Sequence, residues 1–388
     1  MVTRPADPSP APTIVVVRTR QDLAAHEAAW DALAAQALDA NIFYERTMLL
    51  SALDQMGRGR LFCVLLVYRQ AEMIGFFPFW PALKGPRGMI RAYQSFTHLN
   101  CYLATPLVHR AHAATTIDGL LDWLDRAPDG ARLMGLYKIA GDTGFATLLQ
   151  ERLQARRQPH FIEGSHERAF FEPAATAEAY LERALSAKKR KEYRRQRRRL
   201  EELGALSFTT VTGDDDAVAW ADRFMDMEMR GWKGRGRAAL DAIPGGRNYF
   251  RAAVGELARQ GRAILHTMAL DGKPIALKCN FIGAGGPPAG AFAYKITYDE
   301  DYAKFSPGVL LELHNIADLH ARRGEIAWMD SCADPNHPMI DHLWDGRRRI
   351  LYVTCGSRSL PGRLLVAALK HRNRQARKRI TQQRQEGR

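Results

Sequence analysis

The sequence predicts an α/β protein made of two similar halves, each a mixed, mostly antiparallel sheet flanked by helices. Three observations carry that expectation. A chain of 388 residues with 46% hydrophobic and 9% aromatic content exceeds what one core usually organises and suffices for two. Short β-branched or aromatic runs alternate with segments of helical period along its whole length. Finally, Arg60-LFCVLLVYRQAEMIGFFPFW and Arg262-AILHTMALDGKPIALKCNFI share an arginine, a strand, a polar turn and a second strand. They lie about 200 positions apart at matching places in the two halves, which is the mark of a tandem duplication.

Taken in order, residues 1–13 are rich in Pro, Ala and Ser and read as a disordered head. Ile14 to Val17 is a β-branched strand, and Asp22 to Leu38, with Leu23, Trp30, Leu33 and Leu38, is an Ala-rich helix. Leu61 to Tyr68 and Met73 to Trp80 form a hairpin around Arg69-Gln-Ala-Glu72. A helix over 116–124, a strand over 133–139 and a helix over 144–157 follow. In the second half, Leu206 to Val211 is a strand, 214–230 and 248–260 are helices, and Ile264 to Leu270 with Ile275 to Ile282 is a hairpin turned by Asp271-Gly272-Lys273. Gly283 to Gly290 follows an antiparallel strand and lacks the Lys-Ser/Thr of a P-loop, so it reads as a hairpin loop. Ala291 to Tyr298 is a strand. Pro307 to Arg322 is a helix that starts with proline after Ser306 and stops at Gly324. Strands at 326–329 and 350–354 and a helix from Pro361 close the chain. The expected division is 14–165, 166–369 and a basic tail, 370–388, read as a disordered solubilising end.

Charge is concentrated. Residues 186–199 hold nine Lys/Arg against one Glu, and 370–388 hold eight against one, leaving the rest of the chain with 39 basic and 40 acidic residues. The pI of 9.7 therefore reports two sites and no general affinity for polyanions. The five cysteines form no CxxC pair, which argues against a disulfide framework or a zinc site and for a reducing compartment. No secretory leader and no run of about 18 apolar residues is present, so a cytoplasmic protein is expected.

Polar chemistry gathers in MDSCADPNHPMIDHLWDGRRR, with Asp330, Cys332, Asp334, His337, Asp341, His342 and Asp345. His337 and His342 are five apart with Pro338 between them, which is not a helical ligand spacing, so no metal is expected. On the strand 275–282, alternation sets Lys278 and Asn280 on one face and Ile275, Leu277, Cys279 and Phe281 on the other. A lysine there is costly to bury, so that face is expected to be wet.

The order of elements in the second half resembles the GNAT N-acetyltransferase fold, repeated as tandem GNAT-like domains. Four segments, Ser186-AKKRKEYRRQRRRLEELG204, Glu228-MRGWKGRGRAAL240, Ser306-PGVLL311 and Asp330 at a strand end, resemble the CelD-type acetyltransferase-like family. The basic helix ending in Gly204 before a strand is also similar to the Fem-type peptidoglycan aminoacyltransferases. The resemblance covers about Phe170 to Thr354; in the first half it rests on the hairpin and Pro106-Leu107. It implies an N-acyltransferase that takes acetyl-CoA or another acyl-CoA as co-substrate, or aminoacyl-tRNA in the Fem-type alternative. The third reading is a module without cofactor that binds anionic surfaces. In GNAT enzymes the helix after the fourth strand receives the pyrophosphate, which places Lys304, Ser306, Gly308 and Val309 at the cofactor; a helix start suits that anion, although Tyr302-AKFSPG308 has only one glycine of the usual loop. An ordinary Ser/Pro cap is the other reading. Asp330 and His337 are expected to orient and deprotonate the amine, His337 having a reference pKa of about 6.5; a loop histidine capping backbone is the alternative. Glu228, Trp232 and Lys233 match the family segment, and with Lys278 and Lys295 they are expected to line the substrate cleft. Lys188, Arg190 and Arg194 are expected to contact an anion. The implied partners are a small-molecule or glycan amine, with tRNA or an anionic membrane surface as further possibilities.

Overall fold

The computed structural model describes residues 11–56, 61–84, 90–126, 129–213 and 216–386. Most of the expected disordered head lies outside them, and a strand already begins at Thr13. Strands run in chain order as β1 (Thr13–Val17), β2 (Cys63–Arg69), β3 (Glu72–Lys84), β4 (Ile90–Ser95), β5 (Leu107–Val108), β6 (Leu133–Ala140), β7 (His160–Phe171), β8 (Leu206–Val211), β9 (Ala263–Leu270), β10 (Lys273–Ile282), β11 (Ala289–Tyr298), β12 (Ile326–Asp330) and β13 (Gly346–Gly356). The chain is mixed α/β, with helices flanking sheet.

Two compact units divide it: in sequence they meet at 166/167, one residue from the expected boundary, while residues 45–60 and 349–388 each belong with the other half. One comprises Met1–Tyr44, Leu61–His166 and Arg349–Arg388; the other comprises Glu45–Arg60 and Glu167–Arg348. In the first, β1, β2, β3 and β4 pair antiparallel in sequence, β4 pairs parallel with β6, and β6 pairs antiparallel with β13. Ile117, Leu120, Leu124 and Phe145 from two helices, Ala113–Arg126 and Gly144–Ala155, cover this sheet, and Leu351, Val353 and Cys355 of β13 belong to the same core. The second unit repeats the topology: β8, β9, β10 and β11 antiparallel, β11 parallel to β12, and β12 antiparallel to the end of β7. The sheet of the first unit is thus completed by β13, a strand from the far end of the sequence.

The second unit also takes in helix Arg46–Gln55, which packs on helix Gly246–Arg259. The approach is close: a Cβ on Gly245, at φ +76°, would fall on the Gln55 carbonyl, so only glycine fits there. Glu45 pairs with Arg262 and accepts from the Ala284 N–H at 2.9 Å. This helix, β4 and β7 are not among the elements the sequence pattern shows. The basic helix, Ala187–Glu201, follows a separate helix, Ala177–Ala184, and is capped by Ser186; Leu200 is buried and Leu203 is 55% exposed. One other expectation is corrected. The basic tail is not a disordered end but continues the helix Leu360–Glu386.

All five cysteines are buried thiols. No helix among the described residues is long and apolar enough to cross a membrane.

Candidate functional site

In the second unit β11 and β12 pair only through Ala289/Ile326, Gly290/Trp328, Ala291/Met329 and Phe292/Asp330. β12 ends at Asp330 while β11 runs on to Tyr298, so six residues of β11 pass beyond their parallel partner. The same strand carries a bulge: Cys279 faces Lys295 and Asn280 faces Ala293, so Tyr294 is the extra residue of β11. A bulge turns side chains and frees backbone groups of the strand. Tyr294 donates to the Tyr249 hydroxyl at 3.2 Å.

Beyond β11, a 3-10 turn, Glu300–Phe305, leads into helix Pro307–Ala321. Ser306 sits in the left-handed region at φ +54°, and its hydroxyl makes no cap hydrogen bond; its carbonyl accepts from Val309 and Leu310 at 2.9 and 3.1 Å. The expected serine cap is therefore absent, and a non-glycine residue is held in a strained conformation. Pro307 and Gly308 are buried. A Cβ on Gly308 would meet the Tyr298 ring at 3.4 Å and Met339 Sδ at 3.5 Å, ordinary contact distances, so the helix start lies against the end of β11 and the loop that carries His337. Val309 is partly buried against the core of the unit. Lys304 is exposed, its Nζ 5.0 Å from the Phe305 ring centre.

Three of the expected substrate residues meet. Glu228, on helix Ala217–Arg230, is 1% exposed. Its Oε1 lies 3.0 Å from Lys233 Nζ and 3.9 Å from Lys295 Nζ, and its Oε2 accepts from the Leu240 N–H at 2.8 Å. Lys233 also donates to the Ile296 carbonyl at 2.8 Å. Burial lowers the pKa of both lysines, against the opposing pull of Glu228. Lys295 stands on the part of β11 beyond β12. Trp232 is 57% exposed and its N–H donates to Glu300, so it is no core residue.

Lys278 goes elsewhere. It is 3% exposed, with Nζ 2.8 Å from Glu312 Oε2, which corrects the expectation of a wet face. Helix Pro307–Ala321 supplies the counter-ion that the sequence pattern did not reveal. Glu312 Oε1 accepts from Trp344 Nε1 at 3.0 Å and Asn315 Nδ2 at 2.8 Å, while Asn315 Oδ1 accepts from Asn280 at 2.8 Å and faces His266 Nε2 at 3.2 Å. A network with so many partners fixes the helix on the sheet.

Asp330 and His337 do not form a pair; among the described residues no hydrogen bond joins them. Asp330 is fully buried, with Oδ1 2.7 Å from Arg168 Nε and Oδ2 accepting from Arg168 Nη2 at 2.8 Å and Arg348 Nη1 at 3.2 Å. Burial pushes its carboxyl up, but the two guanidinium groups outweigh that and hold it below the usual carboxylate range. His337 Nδ1 accepts from the Met339 and Ile340 N–H groups, both at 3.3 Å. That leaves the proton of the neutral ring on Nε2, and burial lowers its pKa. A ring held in this way is a backbone cap, so the geometry opposes the expected base.

On the basic helix Ala187–Glu201, Lys188 and Arg194 are exposed and Arg190 is half-buried. Outside this unit, Glu72, His109 and His112 could group around a cation. His109 Nδ1 accepts from the Ala111 N–H, which places the ring proton on the nitrogen that faces Glu72, so the donor set does not fit a metal.

No curated protein matches the chain. Among solved structures, a conserved protein of unknown function from Bacteroides thetaiotaomicron is 11% identical over 88% of this chain and 100% of its own, with a TM-score of 0.52. A tandem GNAT protein from the clavulanic acid biosynthesis pathway is 14% identical over 89% of this chain and 100% of its own, with a TM-score of 0.44. The C-terminal domain of a putative lysylphosphatidylglycerol synthetase from Agrobacterium fabrum is 13% identical over 76% and 84%, with a TM-score of 0.45. Residues 187–337 match the family model for an acetyltransferase (GNAT) domain.

Proposed function

We propose that the second unit transfers an acyl group from acyl-CoA to an amine acceptor. The observation that carries this reading is the parting of β11 from β12 beside an uncapped helix start. Parted strands leave backbone groups of β11 without strand partners, ready to receive an extended pantetheine-like chain and to donate to a thioester carbonyl. The helix start offers N–H groups and about half a positive charge to a pyrophosphate, with Gly308 and Val309 at the approach and Lys304 as an exposed cation. Direct attack by a neutral amine needs no enzyme nucleophile: the C–N bond forms, the C–S bond breaks, and the nitrogen gives up a proton. Lys295, whose pKa burial lowers, takes that proton in this reading, with Glu228 and Lys233 holding it in place. Calorimetric titration with acetyl-CoA and longer acyl-CoAs tests the proposal. Saturable binding of one of them is expected, and a folded protein that binds none overturns it.

A second reading is favoured by the exposed cations of the basic helix, Lys188, Lys191, Arg194, Arg195 and Arg198. An aminoacyl-tRNA donor would contact this face, and affinity would fall steeply with salt. Filter binding with charged tRNA against an unrelated RNA separates the two; equal binding to both removes the tRNA reading.

A further inference from the structure

Helix Ala187–Glu201 and helix Pro307–Ala321 enclose a cavity of about 580 Å³ within the second unit. Its volume falls in the range of small-molecule sites, about 300–1,000 Å³. Phe208, one of its lining residues, stands on β8, the edge strand of the order β12, β11, β10, β9, β8. The cavity therefore lies at the other end of the sheet from the parted strands.

Its floor is apolar, formed by Leu185, Leu310, Leu313 and Phe208, and its rim is cationic, formed by Arg190, Arg194 and Arg197. Two polar atoms here are buried without a hydrogen-bond partner among the described residues: Arg190 Nη1 and His314 Nε2. The carboxylate nearest Arg190 is Glu182, 3.5 Å away with a 70% exposed side chain. His314 is fixed by stacking on Phe208, with centroids 4.8 Å apart at 25°, and by an edge contact with His266 at 5.3 Å, so Nε2 is held rigidly. A buried guanidinium N–H without a hydrogen-bond acceptor is unfavourable, and an entering anion would satisfy it.

We propose that this cavity binds a single-chain anionic amphiphile, its alkyl chain against Leu185, Leu310, Leu313 and Phe208 and its phosphate or carboxylate among Arg190, Arg194 and Arg197. A free phosphate would leave the apolar floor in water. A nucleic acid would use the outward cations of the helix, such as Lys191 and Arg198, and would leave the floor equally uncovered. Only a ligand with both characters answers both surfaces.

The test uses the full chain and dodecyl phosphate below its micelle concentration. Saturable binding at least tenfold tighter than that of dodecyl maltoside or of inorganic phosphate is expected. Ala317→Trp fills the cavity from an exposed position of the helix and should weaken dodecyl phosphate at least tenfold. Arg194→Glu, a surface change that leaves the fold intact, should weaken dodecyl phosphate and leave dodecyl maltoside unaltered. Vesicles that carry lysophosphatidylglycerol, a single-chain anionic lipid, separate the sources. Vesicle binding that dodecyl phosphate displaces assigns the site to a membrane lipid, and binding of the monomer alone assigns it to a free amphiphile. The proposal is overturned if both variants bind dodecyl phosphate like the parent. It is equally overturned if inorganic phosphate or single-stranded RNA binds as tightly as dodecyl phosphate and displaces it.

Discussion

Asp330 accepts from Arg168 Nη2, Arg348 Nη1 and the Cys332 N–H in the interior, so its removal would strand two guanidinium groups there. Breaking a buried pair from one side costs about 3–5 kcal/mol. Asp330→Asn should lose stability of that order in urea titration, with the slope of the transition unchanged. The sign with pH follows from the lowered carboxyl. Its contribution is complete above the unfolded value of about 3.9 and disappears as pH falls through the lower folded value. Acid unfolding monitored by circular dichroism should accordingly begin at higher pH in any variant that lacks Arg168 or Arg348. His337 and Lys295 make opposite predictions. Asn at position 337 keeps an acceptor for the Met339 and Ile340 amides, so His337→Asn should retain turnover; a tenfold loss together with a vanished acidic limb of the pH–rate profile would restore the histidine as base. Lys295→Met should instead remove that limb, because a base of lowered pKa becomes active as pH rises through it. The polar cluster around Asp330 was legible in sequence, but its meaning was not. The arginines that decide it stand 162 and 18 positions away, and pairing at that distance leaves no local pattern. Glu228 and Lys233, five apart, were legible together through the family segment; Glu312, partner of Lys278, reads in sequence as one polar residue on a helix.

Among the elements, the helix start at Ser306 and the strand before it form the working unit. Gly308→Asp would bring a carboxylate to the point where a pyrophosphate approaches, against Tyr298 and Met339, combining exclusion with like-charge repulsion. Acyl-CoA affinity should fall at least tenfold, about 1.4 kcal/mol, with the melting temperature close to the parent's; retained affinity would place the cofactor elsewhere. Gly308→Ala is the control, since its methyl group meets only ordinary contacts. Strands with apolar alternation and helices with clear stops were readable because their signals are local. β7 escaped because its middle, Glu163-Gly-Ser-His-Glu-Arg168, is polar on both faces with a glycine inside, and such a run reads as loop. Helix Arg46–Gln55 escaped because it buries residues on most sides, Met48, Leu49, Ala52 and Leu53 among them, which blurs its period.

For the whole molecule, the decisive property is that sequence halves and compact units differ. The first unit needs β13, whose Leu351, Val353 and Cys355 lie in its core, and the second needs Arg46–Gln55. A cut at 165/166 would fall inside β7 and would leave β6 as an exposed edge in one fragment, with Gly245 and Arg262 stripped of Gln55 and Glu45 in the other. Unpaired strand edges drive aggregation, and a sheet that lacks its last strand also loses part of its buried apolar area. Fragments 1–165 and 166–388 expressed singly should therefore aggregate or melt without a cooperative transition. The two expressed together should recover soluble material with a sharper melt, because every missing segment is then supplied in trans. Calorimetry on fragment 166–388 is the sharpest check: a single cooperative transition from that fragment alone would mean that the second unit is complete without the helix at 46–55 and that the interleaving is dispensable.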